Sequence, residues 1–336
     1  MSDEQTSINV LDFLWWNVQD FAHFDIGQAT YERWPDSARE YFEKRRRIET
    51  VLQLLTATTR PQLFAFAEIT EYAARDLRDR LFPDYKVFSL ASLYDRPDFH
   101  IALIYDPAAG FGGEDFLKVS NVPGSTRPMA VLNHRYGRHV IRFYVCHWTA
   151  RFAEPSDKWR QLTAQHLNGA SYEFLRSSDE PEEIRHVMIL GDLNEEPYGT
   201  VETWLYAHRD RAASRRVEHY TDKSIRRLHL YNCSWRLLGE HIPHPQRGRE
   251  REMAGSYYWR DTRTWHTFDQ VIVSGSLLTD EPPYLDEVNL RVASGLGVLP
   301  NEFLADDGLP DKFEWKNGHP TGLSDHLPIC GRIILK

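Results

Sequence analysis

The sequence predicts an α/β protein with mixed β-sheets, and three observations predict it. Short apolar runs of strand length alternate with longer segments of helical periodicity. Their order is strand, helix, strand, helix, several strands, helix, strand. Two of the strand-like runs are close enough in sequence to form a hairpin, so the sheets are not purely parallel.

Ile8–Asn17 (INVLDFLWWN) is apolar-rich and strand-like, with Asn17 at its end. A polar loop follows to about Pro35. Over Ala38–Thr58 the residues Tyr41, Phe42, Arg45, Ile48, Val51, Leu52 and Leu55 recur at spacings of a helix face, with Lys44–Arg47 as the wet side. Gln62–Ile69 (QLFAFAEI) is a buried-strand run with Glu68 near its end. An unpaired carboxylate is costly to bury, so Glu68 is paired, bound to a cation, or out at the sheet edge. Glu71–Leu81 reads as a short helix, and Lys86–Leu90, His100–Tyr105 and Phe116–Val119 as strands. Met129–Asn133 and His139–His147 form the hairpin, turning about Tyr136–Arg138 and ending in His147. Ser156 caps a helix that reaches roughly Leu175.

The next strand, Val187–Leu190, is closed by Gly191, Asp192 and Asn194. In extended backbone Asp192 and Asn194 point to the same side, at the carboxyl edge where open α/β sheets bind ligands. Gly, Asp and Asn also favour turns for local reasons, so G-D-x-N alone is a weak signal and reads more readily as a strand-end turn. Gly199–Ala207 is a short helix, Ser256–Trp259 and Phe268–Ser274 are strands, Asp280–Gly322 is loop-like, and Leu327–Leu335 is a closing strand. The absence of repeats, heptads and low-complexity linkers favours a single domain over residues 1–336, with insertions at about 208–254 and about 280–322.

The totals are those of a globular protein: 336 residues, 41% hydrophobic, 26% charged. No apolar run approaches the ~20 residues that span a bilayer. The start, MSDEQTSINV, has no signal-peptide core, and a cytoplasmic location is the expectation. Cys146, Cys233 and Cys330 stand far apart with no C-x-x-C, which points away from disulfide frameworks and thiolate metal sites. The net charge of −9 argues against whole-surface attraction to nucleic acid. Between Arg209 and Arg251, however, eleven Lys or Arg face five Asp or Glu, a balance of +6. Such a segment fits a local anion-binding surface or a solvated loop.

Asn17, Glu68, His147, Asp192 with Asn194, Asp269, and Asp325 with His326 each terminate or lie just beyond a predicted strand. Strand ends of packed sheets meet along one edge, so the set can form one cluster. Carboxylates and amides without cysteine suit Mg²⁺ or Mn²⁺. Such an ion neutralises phosphate oxygens, and histidine supplies an acid or base near neutral pH. The chemistry indicated is attack of water on a phosphate ester. Tyr257, Tyr258, Trp259 and Trp265 are candidates for stacking on bases, with core packing as the rival reading; Trp15, Trp16 and Trp148 read as core. His241 and His244 lack partners for zinc and read as loop residues.

WWNVQDF (15–21), FAEI (66–69), YVCHWTAR (144–151), ILGDLNEEP (189–197), FDQVIVS (268–274) and GLSDHLPI (322–329) resemble the ordered motifs of the endonuclease/exonuclease/phosphatase superfamily. That group includes pancreatic-type deoxyribonucleases, abasic-site endonucleases, deadenylases, inositol-phosphate phosphatases and neutral sphingomyelinases. The resemblance implies a four-layered α/β sandwich, two mixed sheets packed face to face with helices outside (DNase I-like). It implies that Glu68 is the principal metal ligand, with Asn17 and Asp325 completing or supporting the site. His326 would be general base or phosphate-stabilising histidine, oriented by Asp269. Asp192 would position or activate water, Asn194 would hold the phosphate or Asp192, and His147 would act as acid or phosphate ligand. Arg127, in STRPMAV, resembles an arginine that contacts substrate phosphate. Gln19–Asp20 stand where the family pattern has an Asp or Gly pair.

The function expected is a divalent-metal-dependent phosphodiesterase acting on DNA or RNA. The alternatives are a phosphatase or phosphodiesterase for inositol phosphates or phospholipid headgroups, which the same catalytic set would serve, and a non-catalytic binding module with the same fold.

Overall fold

A computed structural model of the chain describes residues 10–22, 38–92, 100–117, 127–151, 156–177, 182–216, 229–239, 254–293, 304–305, 309–316 and 318–336. Much of the basic 209–251 segment, with His241 and His244, lies outside these residues, as do residues 118–119 of a predicted strand.

Strand β1 (Val10–Phe21) is followed by helix α1 (Ala38–Leu55), β2 (Leu63–Ile69), α2 (Glu71–Leu81), β3 (Lys86–Ser89) and β4 (His100–Tyr105). Three antiparallel strands come next, β5 (Phe111–Leu117), β6 (Met129–Tyr136) and β7 (His139–His147), then α3 (Ser156–Arg176) and β8 (Ile184–Asp192). The chain continues through α4 (Thr200–Thr203), β9 (Ala207–His208), α5 (Arg211–Arg216), β10 (Leu230–Asn232), β11 (Tyr257–Trp259), β12 (Thr264–His266) and β13 (Asp269–Ser274). Strands β14 (Tyr284–Leu285), β15 (Arg291–Val292), β16 (Glu314–Lys316), β17 (His319–Thr321) and β18 (Ile329–Ile334) complete it.

One sheet runs in the order β14-β18-β1-β2-β4-β3, with β15 also on β18; the other runs β5-β6-β7-β8-β13-β10-β9. Both are mixed: β1 is parallel to β2 and antiparallel to β18, and β7 is parallel to β8, which is antiparallel to β13. Alternation along β1 decides the layers. Leu11, Phe13 and Trp15 pack between the sheets against a set that includes Leu132, Phe143, Leu190 and Val271. Leu14, Trp16 and Val18 face outward, in one cluster with Ile48, Val51 and Leu52 of α1 and Ala73 and Leu77 of α2. On the far side, Val187 and Ile189 of β8 share a cluster with Ala164 and Leu167 of α3. The result is the four-layered α/β sandwich. Each large core side chain buried contributes roughly 1.5–3 kcal/mol. Among the described residues no helix is long and apolar enough to cross a membrane.

The structure departs from the sequence reading in three places that bear on the site. Lys44 and Arg47 are buried, not on a wet face; Arg47 donates to Gly322 O at 3.0 Å and Pro320 O at 2.9 Å, tying α1 to the segment around the β16–β17 hairpin. The 280–322 stretch holds four short strands where a loop was expected, two of them paired with β18. Strand β5 begins at Phe111, five residues before the predicted start, because Gly112 and Gly113 interrupt the apolar pattern at a register break opposite β6.

Gly191 is held at φ 151, and a Cβ there would lie 2.0 Å from Cys146 O on the paired strand β7. Gly191→Ala must therefore push β7 and β8 apart at the point where both deliver site residues. A loss of about 3 kcal/mol is expected, the upper part of the overpacking range, read as a lower urea midpoint at unchanged slope; a midpoint equal to that of the native chain would refute the close approach.

Candidate active site

Three neighbouring strands of the second sheet deliver a row of side chains. Strands β7 and β8 run parallel and end at His147 and Asp192, which are register partners; β13 runs the other way and starts at Asp269, opposite Asp192 on its other side. The first sheet supplies Asn17 from β1, Glu68 from β2, and Asp325 with His326 from the approach to β18. Because β18 is antiparallel to β1, its entry lies beside Asn17, and Ser324 Oγ donates to Asn17 O at 2.8 Å.

Backbone irregularity aims these groups. The β1–β2 register shifts between Asn17 and Phe21, and the β2–β4 register between Phe66 and Ile69. Gln19, Asp20 and Glu68 have φ of 46°, 48° and 57°, in the left-handed region. A bulge re-aims side chains out of the strict alternation, and such conformations cost on the order of 1–3 kcal/mol each, so they cluster where function requires them. Asn194, at φ 49°, is a fourth, and all four line one cavity.

Within that cavity Asp192 is central. Its Oδ1 accepts from Asn194 N at 2.8 Å and its Oδ2 from Asn17 Nδ2 at 3.1 Å. Oδ2 also lies 3.7 Å from His147 Nε2 and 3.8 Å from His326 Nε2. Asn17 Nδ2 donates to Glu68 Oε1 as well, at 3.1 Å, while its Oδ1 accepts from Gln19 N at 3.0 Å. Asn17 thus bridges two carboxylates with its nitrogen. Glu68 Oε2 accepts from Asp20 N at 3.1 Å, and Glu68 Oε1 lies 3.6 Å from His147 Nε2. His326 Nδ1 meets Asp269 Oδ2 at 2.7 Å, and the other oxygen of Asp269 accepts from Trp15 Nε1 at 2.7 Å. Arg127 Nη1 lies 2.7 Å from Nδ1 and 2.8 Å from Nε2 of His147. Asp325 Oδ2 is 3.7 Å from Lys312 Nζ. Among the described residues, Asp192, Asp269 and His326 offer ligand atoms all within 4.8 Å of one another, although Asp269 and His326 already engage each other.

Charge follows from these contacts. Burial works against a charged His326, but the adjoining Asp269 carboxylate outweighs it and raises the imidazole to about 10. His326 is therefore a cation at neutral pH. Burial, then the Arg127 guanidinium, hold His147 neutral. Burial raises Asp192 to about 7, with the Asp269 charge adding to it against the opposing pull of His326. Burial and the charge of Glu68 raise Asp20 to about 6. Burial opposes ionisation of Glu68 too, yet the Asn17 amide, cationic His326 and the Arg127 guanidinium hold it below its ordinary value and ionised.

The cavity encloses about 320 Å³. Arg127, Arg151 and Lys312 stand at its lining, with Tyr257, Trp259 and Phe268 on one wall. The ring of Tyr257 is 4.6 Å from that of His326 and 5.2 Å from that of Phe268. Of the four aromatics read as stacking candidates, alternation along β11 turns Tyr257 and Trp259 to the cavity, while Tyr258 packs on Trp265 at 5.1 Å.

Residues 20–334 match the model of the Endonuclease/Exonuclease/phosphatase family. The chain belongs to that family. Among solved structures, the family fold recurs in humanized D. rerio TDP2, with a TM-score of 0.55 at 13% identity over 97% of this chain and 99% of that one. A mannosyl-6-phosphatase from Bacteroides thetaiotaomicron superimposes with a TM-score of 0.57 at 12% identity, covering 97% of this chain and 100% of that one. D. rerio TDP2 complexed with a single-strand DNA product gives 0.51 at 14% identity, over 96% and 98%. No curated protein sequence matches the chain. The fold is thus that of the phosphoesterase family the motifs resemble.

The structure brings Asn17, Glu68, Arg127, His147, Asp192, Asn194, Asp269, Asp325 and His326 together. Asn194 arrives differently from its expected placement. Strand β8 stops at Asp192, so the two-residue alternation does not extend to Asn194; its amide donates to Trp148 O at 3.1 Å and its backbone N–H holds Asp192. Two contributors were not singled out as site residues from sequence: Asp20, and Trp15 as a donor to Asp269.

Proposed function

We propose that this chain is a divalent-cation-dependent phosphodiesterase whose substrate is DNA or RNA. The observation that carries the reading is the single cavity lined at once by Glu68, His147, Asp192, Asn194, Asp325 and His326, with arginines at its margin and an aromatic wall.

The residues present fit a hard cation. The donors around Glu68 are carboxylates, with no thiol in the lining. Asp20, raised to about 6 chiefly by burial and by the charge of Glu68, marks negative charge in surplus. Glu68 with Asp20 and Asp325 would hold Mg²⁺ or Mn²⁺, and Asn17 would support Glu68. A cation bound there supplies neutralisation of charge on phosphate oxygens. The remaining work falls to the side chains. Asp192 takes the proton of the attacking water, its basicity raised into the neutral range; as the water oxygen bonds to phosphorus the ester P–O bond breaks, and the leaving oxygen takes a proton from solvent. Cationic His326, fixed by Asp269, donates to a phosphate oxygen where negative charge develops. Neutral His147 and Arg127 hold another. Asn194 keeps Asp192 in place through its N–H. That D. rerio TDP2 accommodates a single-strand DNA product supports a polynucleotide substrate for this fold, and the aromatic wall supports stacking of bases.

The test is hydrolysis by the purified chain, with Mg²⁺, with Mn²⁺ and with EDTA, of labelled single- and double-stranded DNA, single-stranded RNA and a panel of inositol phosphates. Cation-dependent cleavage of a polynucleotide, abolished by EDTA and in Asp192→Ala, is the expected result. Phosphate release from the small molecules alone would move the activity to the phosphatase branch that the mannosyl-6-phosphatase exemplifies. No turnover of any substrate would overturn the reading in favour of a binding module.

A further inference from the structure

Helix α1 sends a lysine into the fold beside the acidic end of the cavity. Lys44 is 3% exposed. Its Nζ donates to the backbone carbonyl of Gln19 and lies 3.2 Å from Gln19 Oε1, with the Phe313 ring centroid at 5.7 Å. Both oxygen partners are uncharged. Among the described residues no carboxylate stands within ion-pairing distance of this ammonium. Burying a charge without a partner costs several kcal/mol, and a leucine would pack the same helix face without that penalty.

What accounts for the charge lies one step further out. The carboxylates of Asp20, Glu68 and Asp325 act on Lys44, and Asp20 feels it in return. These are the three groups assigned above to the cation. Their summed formal charge is −3 and the ammonium leaves −2, which one divalent ion balances; His326 and Arg127 also act on Glu68, but their charge is assigned above to the substrate phosphate. Lys312 also approaches Asp325, but its side chain is 55% exposed and solvent screens it. Lys44 is placed by structure as well as by charge. It pins the carbonyl of Gln19, the first of the two left-handed residues that bring Asp20 N onto Glu68 Oε2.

We propose that Lys44 is a built-in counter-ion of the Asp20–Glu68–Asp325 cluster, fixed so that the cluster takes one divalent cation and not a pair. This rests on the cation reading of the preceding section.

Mn²⁺ binding tests it without recourse to catalysis. The full chain is titrated with Mn²⁺, free ion being followed by its electron paramagnetic resonance signal, alongside Lys44→Gln, Lys44→Met and Glu68→Gln, each checked for native circular dichroism. The native chain should bind one Mn²⁺. Lys44→Gln keeps a donor for Gln19 and removes the charge, so it should bind its first Mn²⁺ about tenfold more tightly, the like-charge repulsion having gone, and should admit a second. Lys44→Met should share the gain if charge is the cause. Two ions on the native chain, or unchanged stoichiometry and affinity in Lys44→Gln, would overturn the proposal while leaving the cation site standing. So would loss of binding in Lys44→Met with native-like binding in Lys44→Gln, which would reduce Lys44 to a tie for Gln19. Failure of the cation reading itself has a separate signature, native binding that is absent or unaffected by Glu68→Gln, and it removes the proposal with it.

Discussion

Replacing Asp192 with asparagine is expected to lower kcat by roughly 10³–10⁴-fold, the upper range for removal of a general base, with little change in KM. Among the described residues, Asp192 is the one carboxylate within 4 Å of both cavity histidines. Burial and the neighbouring Asp269 charge raise it to about 7 from 3.8, so it changes protonation where a hydrolase works. The asparagine side chain would keep the shape and could still accept from Asn194 N, but it would turn an NH₂ toward the Asn17 NH₂ and could take no proton from water. The same substitution should not weaken the fold. A carboxyl whose folded pKa is raised contributes most stability below its unfolded value of 3.8 and loses it as pH rises through about 7. Neutralising it removes that loss. Steady-state rates on the cleaved substrate, together with urea melts above that pH, should therefore show a nearly inactive protein at least as stable as the native one. Turnover within tenfold of native would remove Asp192 from the role of base; a less stable variant would mean that its ionised form is better accommodated than its burial implies.

The side chains legible in the sequence are those that break an apolar run. Glu68 ends FAFAE, Asp192 ends MILGD, and His147 ends YVCH, and a polar group there has to sit at a sheet edge. What places the edges together is the register of β7 and β13 on β8, which no single stretch encodes. Bulges were equally out of reach, because the left-handed Gln19–Asp20 pair depends on how β1 departs from β2. That is why Asp20 reads from sequence only as a departure from the family pattern and not as a site residue. Lys44 was not hidden in this way. It stands three residues after Tyr41, four before Ile48 and seven before Val51, on the same helical face, whereas Phe42 from the predicted stripe is 48% exposed. A charge on an apolar stripe signals a buried partner, but Gln19 lies 25 residues back and the signal does not name it. Trp15 was correctly read as core; its indole donates to Asp269 because the inward face of β1 meets the start of β13.

Asp269→Asn should give the second large loss, about 10²–10³-fold in kcat, the scale on which a missing electrostatic donor registers, and with it a changed pH profile. Asp269 holds His326 at about 10, against 6.5 for an isolated imidazole. In the native chain His326 therefore stays cationic throughout the neutral range. With asparagine the Trp15 indole can still donate to the Oδ1 position, but the largest charge that opposed burial is gone, and His326 falls from about 10 toward its ordinary value. The donor to the phosphate oxygen is then lost at a lower pH than in the native chain, so the variant should retain most activity on the acid side and decline where the native protein is flat. Stability should move in a linked way. A histidine with a raised folded pKa contributes fully below 6.5, and that contribution is lost as pH climbs through about 10. Native urea midpoints should fall across that interval, and those of Asp269→Asn should fall less. The two readouts separate orientation from charge. A variant with uniformly low activity, a native-shaped pH profile and an undiminished alkaline decline in stability would show that Asp269 merely positions the ring, and His326 would then owe its charge to Asp192 and Asp325, the other carboxylates that raise it.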